Sequence, residues 1–352
     1  MKKFRKTIFS VIASSMIMMV GCSSQSGSST AEPAPGASQE QGTYPNGSVT
    51  GVIQWGAGGG LDTMARAIGP LVEKHLGESI VLTNKPGATG AIAVSYVNDK
   101  KADGSNLLFA AENPALYGVL KISDVGFQDF YPVSIFARGV ATVVVPADSK
   151  YQTLDDLIKD ATANPGKVKM GSTGPGGLPF VVTTMLGTVT KTEYNMVPFD
   201  GDGPALTAVL GGHLDASVIA LPAAVENAKA GKLRILTVIN DERIEEVKDV
   251  PAVSEILPEM KPYLPWGPFY GVWVKKDTPD NVKKVLEDAF AKAQQEPEFQ
   301  EFLKQRGAIS VGLSGAEAEQ YWKDWQSITT WLLQDAGAAK VSPAELNIPK
   351  KE

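Results

Sequence analysis

Residues 49–77 read VTGVIQWGAGGGLDTMARAIGPLVEKHLG, and this stretch decides the fold class. Val49 to Gln54 is short, apolar and partly β-branched, as a strand buried in a sheet requires. Gly56-Ala57-Gly58-Gly59-Gly60 makes a tight loop. Met64, Ala67, Ile68, Leu71, Val72 and Leu76 then recur with the 3.6-residue period of an amphipathic helix, with Asp62 placed to cap it and Gly77 to stop it. The same build continues downstream: Ser79 to Leu82 is a strand, the turn Pro86-Gly87-Ala88-Thr89-Gly90 opens a small-residue helix, and Asp103-Gly104 leads into strand Leu107 to Ala110. This βαβαβ order predicts an α/β protein with a mainly parallel sheet.

A second α/β round follows. Ala141 to Val145 is a β-branched strand, and Thr153 to Ala163 is a helix stopped by Asn164-Pro165-Gly166. The loop Gly171-Ser172-Thr173-Gly174-Pro175-Gly176-Gly177 opens helix Leu178 to Leu186. Val197-Pro198-Phe199-Asp200-Gly201-Asp202-Gly203 runs into another helix with Pro204 in its first turn. Strands Asp215 to Ala220 and Leu233 to Ile239 bracket helix Pro222 to Ala230. From Phe269, FYGVWVKKDTPDNVKKVLEDAFAKA echoes ATVVVPADSKYQTLDDLIKDA from Ala141. The echo fits two strands that cross between two lobes, with lobe 1 at 46–145 and 268–352 and lobe 2 at 146–267.

Lys2, Lys3, Arg5 and Lys6 precede an apolar stretch, Thr7 to Val20, that is too short to span a bilayer, so residues 1–21 are expected to be an export signal. Met19-Val20-Gly21-Cys22 resembles a lipobox, which makes Cys22 the expected lipidation site and puts the protein on the outer face of the bacterial cytoplasmic membrane. Cleavage there removes 21 of 352 residues and four cations from a net charge of −6, leaving 331 residues at −10. Residues 22–45, rich in Ser, Gly, Pro and Gln, read as a flexible tether.

Composition excludes several classes. The chain is 43% hydrophobic, enough for a real core, and it has no Lys/Arg cluster beyond its first six residues, so nucleic acid is not an expected partner. One cysteine and two distant histidines, His75 and His213, supply neither a zinc cage nor a nucleophile-base pair, and no metal or cofactor is expected. Gly56-x-Gly58-x-x-Leu61 lacks the third glycine of a dinucleotide fingerprint, and no loop ends in the Lys-Ser/Thr of a P-loop. An exported hydrolase or isomerase would need a carboxylate pair, for which Asp62 with Asp200 or Asp202 are the candidates. No catalytic residue is assigned.

Three loops, 56–60, 171–177 and 200–203, share one build in which a strand ends, glycines follow and a helix begins. Such loops serve as plain α/β turns, or they bring backbone N–H groups and positive helix ends to a carboxylate or phosphate. Trp55 lies beside the first loop, while Trp266, Phe269, Tyr270 and Trp273 gather near the second crossing. Those aromatics either pack the core or wall an interlobe cleft.

In motif order and spacing, residues 50–340 resemble the receptors of tripartite tricarboxylate transporters, the Bug or TctC-type family. The resemblance rests on Gly58 to Arg66, Asn84 to Gly90, Asp103 to Asn106, Asn164 to Lys167, Ser172 to Gly176 and Val197 to Gly201. It implies a two-lobe, type II periplasmic-binding-protein fold that closes on a small organic carboxylate and delivers it to membrane subunits, acting as a monomer without a cofactor. A receptor that presents its ligand to a histidine kinase would share this fold. The implied ligand-binding residues are Trp55, Ala57, Gly58, Gly59, Gly60, Asp62 and Thr63 from lobe 1, with Ser172, Thr173, Gly174, Gly176, Phe199, Asp200 and Gly201 from lobe 2. Where relatives carry Pro-Phe-Pro-Pro this chain has Gln54-Trp55-Gly56-Ala57, and Phe199 replaces a tyrosine, which implies a ligand with an apolar portion. The motif loops hold almost no cation apart from Lys85, which fits a triple anion poorly.

Overall fold

The computed structural model describes residues 44–351. The expected signal 1–21, the lipidation site Cys22 and all of the 22–45 tether except its last two residues lie outside them. Tyr44 is already docked: its hydroxyl donates to Gly104 O at 2.9 Å and its ring packs on the core, because burying an aromatic ring outweighs leaving it in a polar tether.

The chain runs through β1 (Val49–Ile53), α1 (Gly60–Leu76), β2 (Ile80–Asn84), α2 (Ala91–Asn98), β3 (Asn106–Ala111), α3 (Tyr117–Leu120) and β4 (Phe130–Arg138). It continues with β5 (Ala141–Pro146), α4 (Leu154–Ala163), β6 (Lys169–Ser172), α5 (Leu178–Thr190), β7 (Asn195–Pro198), α6 (Asp202–Leu210), β8 (Ala216–Ala220), α7 (Leu221–Lys229), β9 (Leu233–Ile239) and α8 (Val253–Ile256). It then returns through β10 (Phe269–Lys275), α9 (Asp280–Gln295), α10 (Pro297–Gln305), β11 (Ile309–Leu313) and α11 (Gly315–Asp335). A six-stranded sheet of order β11-β4-β10-β3-β1-β2 organises one lobe, and a five-stranded sheet of order β7-β6-β8-β5-β9 the other.

Alternation along β3 explains the layers. Leu107, Phe109 and Ala111 face a core shared with α1, α9 and α10, whereas Leu108 and Ala110 face the opposite core, shared with α2 and α11. In β5, Val143 and Val145 join that second core while Val144 joins the core under α6 and α7. Both faces of each sheet are thus buried at their inner strands, while the edge strands β2, β7 and β11 stay partly exposed.

Two expectations are corrected. The sheets are mixed rather than mainly parallel: β1 pairs in parallel with β2 and β3, and β6 with β7 and β8, but β10, β11, β5 and β9 pair antiparallel. The strands next to each crossing run against the βαβ direction, which local order does not reveal. Second, the lobe boundary expected at 145/146 falls inside β5, all of which pairs with β8 and β9, so the chain passes between the sheets at Gly139–Val140. A β-branched run fits either sheet, and only long-range pairing chooses.

The two passages between the sheets lie side by side. Gly139 N–H donates to Pro268 O at 2.8 Å, and a Cβ on Gly267 would stand 2.3 Å from Gly139 O. Trp266, Phe269 and Trp273 are core residues here: Trp273 stacks on Phe127 with centroids 4.3 Å apart, and Trp266 and Phe269 pack on Trp325.

Candidate functional site

The glycine loop between β1 and α1 is braced from behind. Asp62 does not cap α1; that position is Gly59. Asp62 instead reaches back, its Oδ2 accepting from Gly58 N at 2.9 Å and its Oδ1 from Arg66 Nε and Asn84 Nδ2, both at 2.8 Å. Asn84 also donates to Trp55 O at 2.9 Å. Charge-assisted bonds of this kind fix the loop, and they commit Asp62 to structure. Of the candidate carboxylates, Asp202 lines the inner of the two spaces described below and Asp200 the outer, while Asp62 lines neither.

Trp55 is held at its other end as well. Its indole Nε1 donates to Asn113 Oδ1 at 3.1 Å, as does Gln54 Nε2 at 3.2 Å, and Asn113 Nδ2 donates across the lobes to Gly176 O at 2.5 Å. The lobes also meet where Gly56 N–H donates to Asp200 O at 2.9 Å. A Cβ on Gly203 would stand 1.9 Å from Ala57 O, so this contact requires glycine. The cleft is closed.

Behind these contacts is a narrow compartment of about 20 Å³, lined by Trp55, Gly59, Gly60, Glu112, Thr173, Asp202 and Tyr270 among others. A wider groove of about 280 Å³, termed the mouth, lies between Ala88-Thr89 of one lobe and Thr173, Gly174, Pro198, Phe199 and Asp200 of the other. Thr173 belongs to both. Ala88 and Thr89 hold φ of 48° and 54°, and for the β-branched Thr89 this is strained backbone at the rim of the cleft. Tyr117 Oη clamps it by donating to Thr89 O at 2.8 Å.

Of the residues expected from sequence, Trp55, Gly59, Gly60 and Thr173 line the inner compartment, and Thr173, Gly174, Phe199 and Asp200 line the mouth. Ala57, Gly58 and Gly201 serve the contact between lobes; a Cβ on Gly201 would stand 3.1 Å from Gly56 N. Asp62, Thr63, Ser172 and Gly176 line neither space. Thr63 N–H closes the first turn of α1 on Gly59 O, Ser172 O receives Phe199 N–H at 2.7 Å, and Gly176 abuts Leu120. These four hold the loops that carry the lining residues.

Three lining residues lie outside the expected ligand set: Glu112, which sequence reading passed over, Asp202, which it offered only as half of a carboxylate pair, and Tyr270, which it offered as core or cleft wall. Glu112 stands just past the carboxyl end of β3, where open α/β sheets gather their ligands, and it follows the apolar run Leu107 to Ala111; that position was the signal available. It is 1% exposed and its Oε2 has no hydrogen-bond partner among the described residues; Thr173 Oγ1 and Tyr270 Oη are likewise unpartnered. Burial pushes the Glu112 carboxyl up to about 8, with nearby Asp202 adding to the rise. Half-buried Asp202 in the first turn of α6 accepts from Ala220 N at 3.2 Å. Its desolvation raises it to about 6, while the N–H groups of Ala220 and Gly60, at the starts of α7 and α1, hold it down. Tyr270 is raised by burial and by these two carboxyls. Among the described residues, no Lys, Arg or His lines either space.

Known proteins share both sequence and fold. A Cupriavidus necator protein encoded in a gbd 5′ region is 30% identical over 300 residues, 84% of this chain and 90% of its own. Protein BugT of Bordetella pertussis is 28% identical over 76% of this chain and 83% of its own length. The solved structure of Rpa4515 from R. palustris with adipate superposes with a TM-score of 0.79 at 25% identity, covering 84% of this chain and 99% of that one. The model of the TctC family, described as the tripartite tricarboxylate transporter family receptor, matches residues 64–337. With that match over most of its length, and with two mixed sheets closing on a cleft, the chain belongs to the TctC family of tripartite tricarboxylate transporter receptors.

Proposed function

We propose that this chain is an extracytoplasmic solute-binding lipoprotein, anchored through Cys22, that captures a small organic carboxylate between its lobes and delivers it to the membrane subunits of a tripartite transporter. It acts as a monomer and without chemistry of its own. The observation that carries the reading is the interlobe compartment: side chains from both lobes converge there, and three of their buried polar atoms await partners. Adipate in a relative of the same fold supports the carboxylate class. The ligand's carboxylate sits in the mouth, against the backbone of Thr173-Gly174 and the start of α5, with Phe199 and Trp55 covering its apolar portion. A ligand that touches both lobes favours the closed state, and the permease reads that state.

The test is thermal unfolding of the purified protein against mono-, di- and tricarboxylates, aromatic acids and amino acids, with sugars and inorganic cations as controls. A ligand at 100 times its Kd stabilises by about 2.7 kcal/mol. Midpoint shifts confined to carboxylate-bearing compounds support the reading. Shifts with sugars or cations alone overturn it.

A further inference from the structure

The inner compartment is chemically unlike the mouth. Glu112 Oε2, Thr173 Oγ1 and Tyr270 Oη are unpartnered among the described residues, and their residues are 1%, 4% and 2% exposed. Asp202 stands beside them. The backbone donors that would receive an incoming carboxylate at this depth, Ala220 N–H and Gly60 N–H, already serve Asp202. A second ligand carboxylate entering here would meet two carboxyls and, among the described residues, no cation, in a desolvated space. A primary ammonium offers three N–H donors, and three residues that line the compartment carry unpartnered oxygens able to accept.

We propose that the inner compartment receives a cationic, hydrogen-bond-donating head group, a primary ammonium, so that the cargo is a zwitterion with its carboxylate in the mouth rather than a di- or tricarboxylate. This rests on the receptor reading above and narrows it. Glu112 and Tyr270 then set specificity: they sort ligands by the group at the far end of the carboxylate.

The experiment uses calorimetric titration of the purified protein with two matched sets on one skeleton each: succinate, 4-aminobutanoate and butanoate, then adipate, 6-aminohexanoate and hexanoate. The aminoalkanoate of one set is expected to bind roughly tenfold or more tighter than its dicarboxylate. Its affinity is expected to rise with pH toward 8 as Glu112 ionises; the other groups facing it are Asp202, Tyr270 and Tyr117, of which Asp202 titrates lower and the tyrosines higher. Glu112→Gln is expected to abolish the preference for the amine. Tyr270→Phe, which keeps the ring, is expected to weaken it and guards against a folding defect in the first variant. A dicarboxylate that binds tighter than its amino analogue, with affinity falling as pH rises toward 8, overturns the proposal, because a protonated Glu112 would then be donating to it; the receptor reading survives that result. Binding of none of the six, where the broader panel also shows no carboxylate, overturns both.

Discussion

Gly203→Ala separates closure from folding. Position 203 is helical and its φ is not positive, so alanine suits the backbone of α6 and favours the helix by about 0.5–1 kcal/mol. The added Cβ meets Ala57 O at 1.9 Å, where ordinary contact begins near 3.4 Å, so the lobes must part by roughly 1.5 Å at this point. Gly56 N–H to Asp200 O and Asn113 Nδ2 to Gly176 O both span the gap and are lost with it. At about 1 kcal/mol each, closure becomes less favourable by about 2 kcal/mol, and Kd rises by roughly 30-fold. Small-angle scattering should give a larger radius of gyration for the liganded variant than for the liganded parent, with an unfolding midpoint at or above the parent's. An unchanged Kd together with a compact liganded envelope would refute the reasoning, since the lobes would then close without this contact.

Three further outcomes are expected. Glu112 and Asp202 bind protons more tightly folded than unfolded, so the stability they contribute is full below pH 4 and is lost as pH rises through about 6 and about 8. The unfolding midpoint should therefore fall between pH 5 and 8.5, and Glu112→Gln should flatten that fall; a flat parent profile refutes it. Half-buried Asp160 and exposed Glu255, each held near 2 by its ion pair, act only below that window. Asn113→Ala unties Trp55 and Gln54 and orphans Gly176 O, costing about 2–3 kcal/mol in urea unfolding and shifting tryptophan emission. Thr173→Val removes the buried hydroxyl of the residue shared by both spaces, and a roughly fivefold to tenfold loss of affinity is expected without change in the circular dichroism spectrum.

Much of the site was legible because its loops are local. Strand, glycines and helix follow one another within a dozen residues, so spacing marked the loops of Gly59, Gly60, Thr173 and Gly174 as tight turns or anion loops, and the family resemblance implied their place at a cleft. Asp62 and Ser172 stand in the same motifs, and sequence cannot tell a residue that lines a site from one that braces the loop behind it. For Asp62 the difference lies in Asn84 and Arg66, brought to it by β2 and by the turn of α1. Phe269 and Trp273 likewise read as cleft wall or core with equal ease until their ring partners Phe127 and Trp325 are seen.

By itself the sequence determined the alternation of strands and helices, the glycine loops at strand ends and the family to which their order belongs, because periodicity and turn chemistry act between near neighbours. Tertiary structure alone decided that β5 belongs to the second sheet, that Gly203 touches Ala57, and that Glu112, Asp202 and Tyr270 share one compartment. Those outcomes depend on which distant strands pair and how two lobes close, and a carboxylate's character is set by the groups that surround it after closure, not by those beside it in the chain.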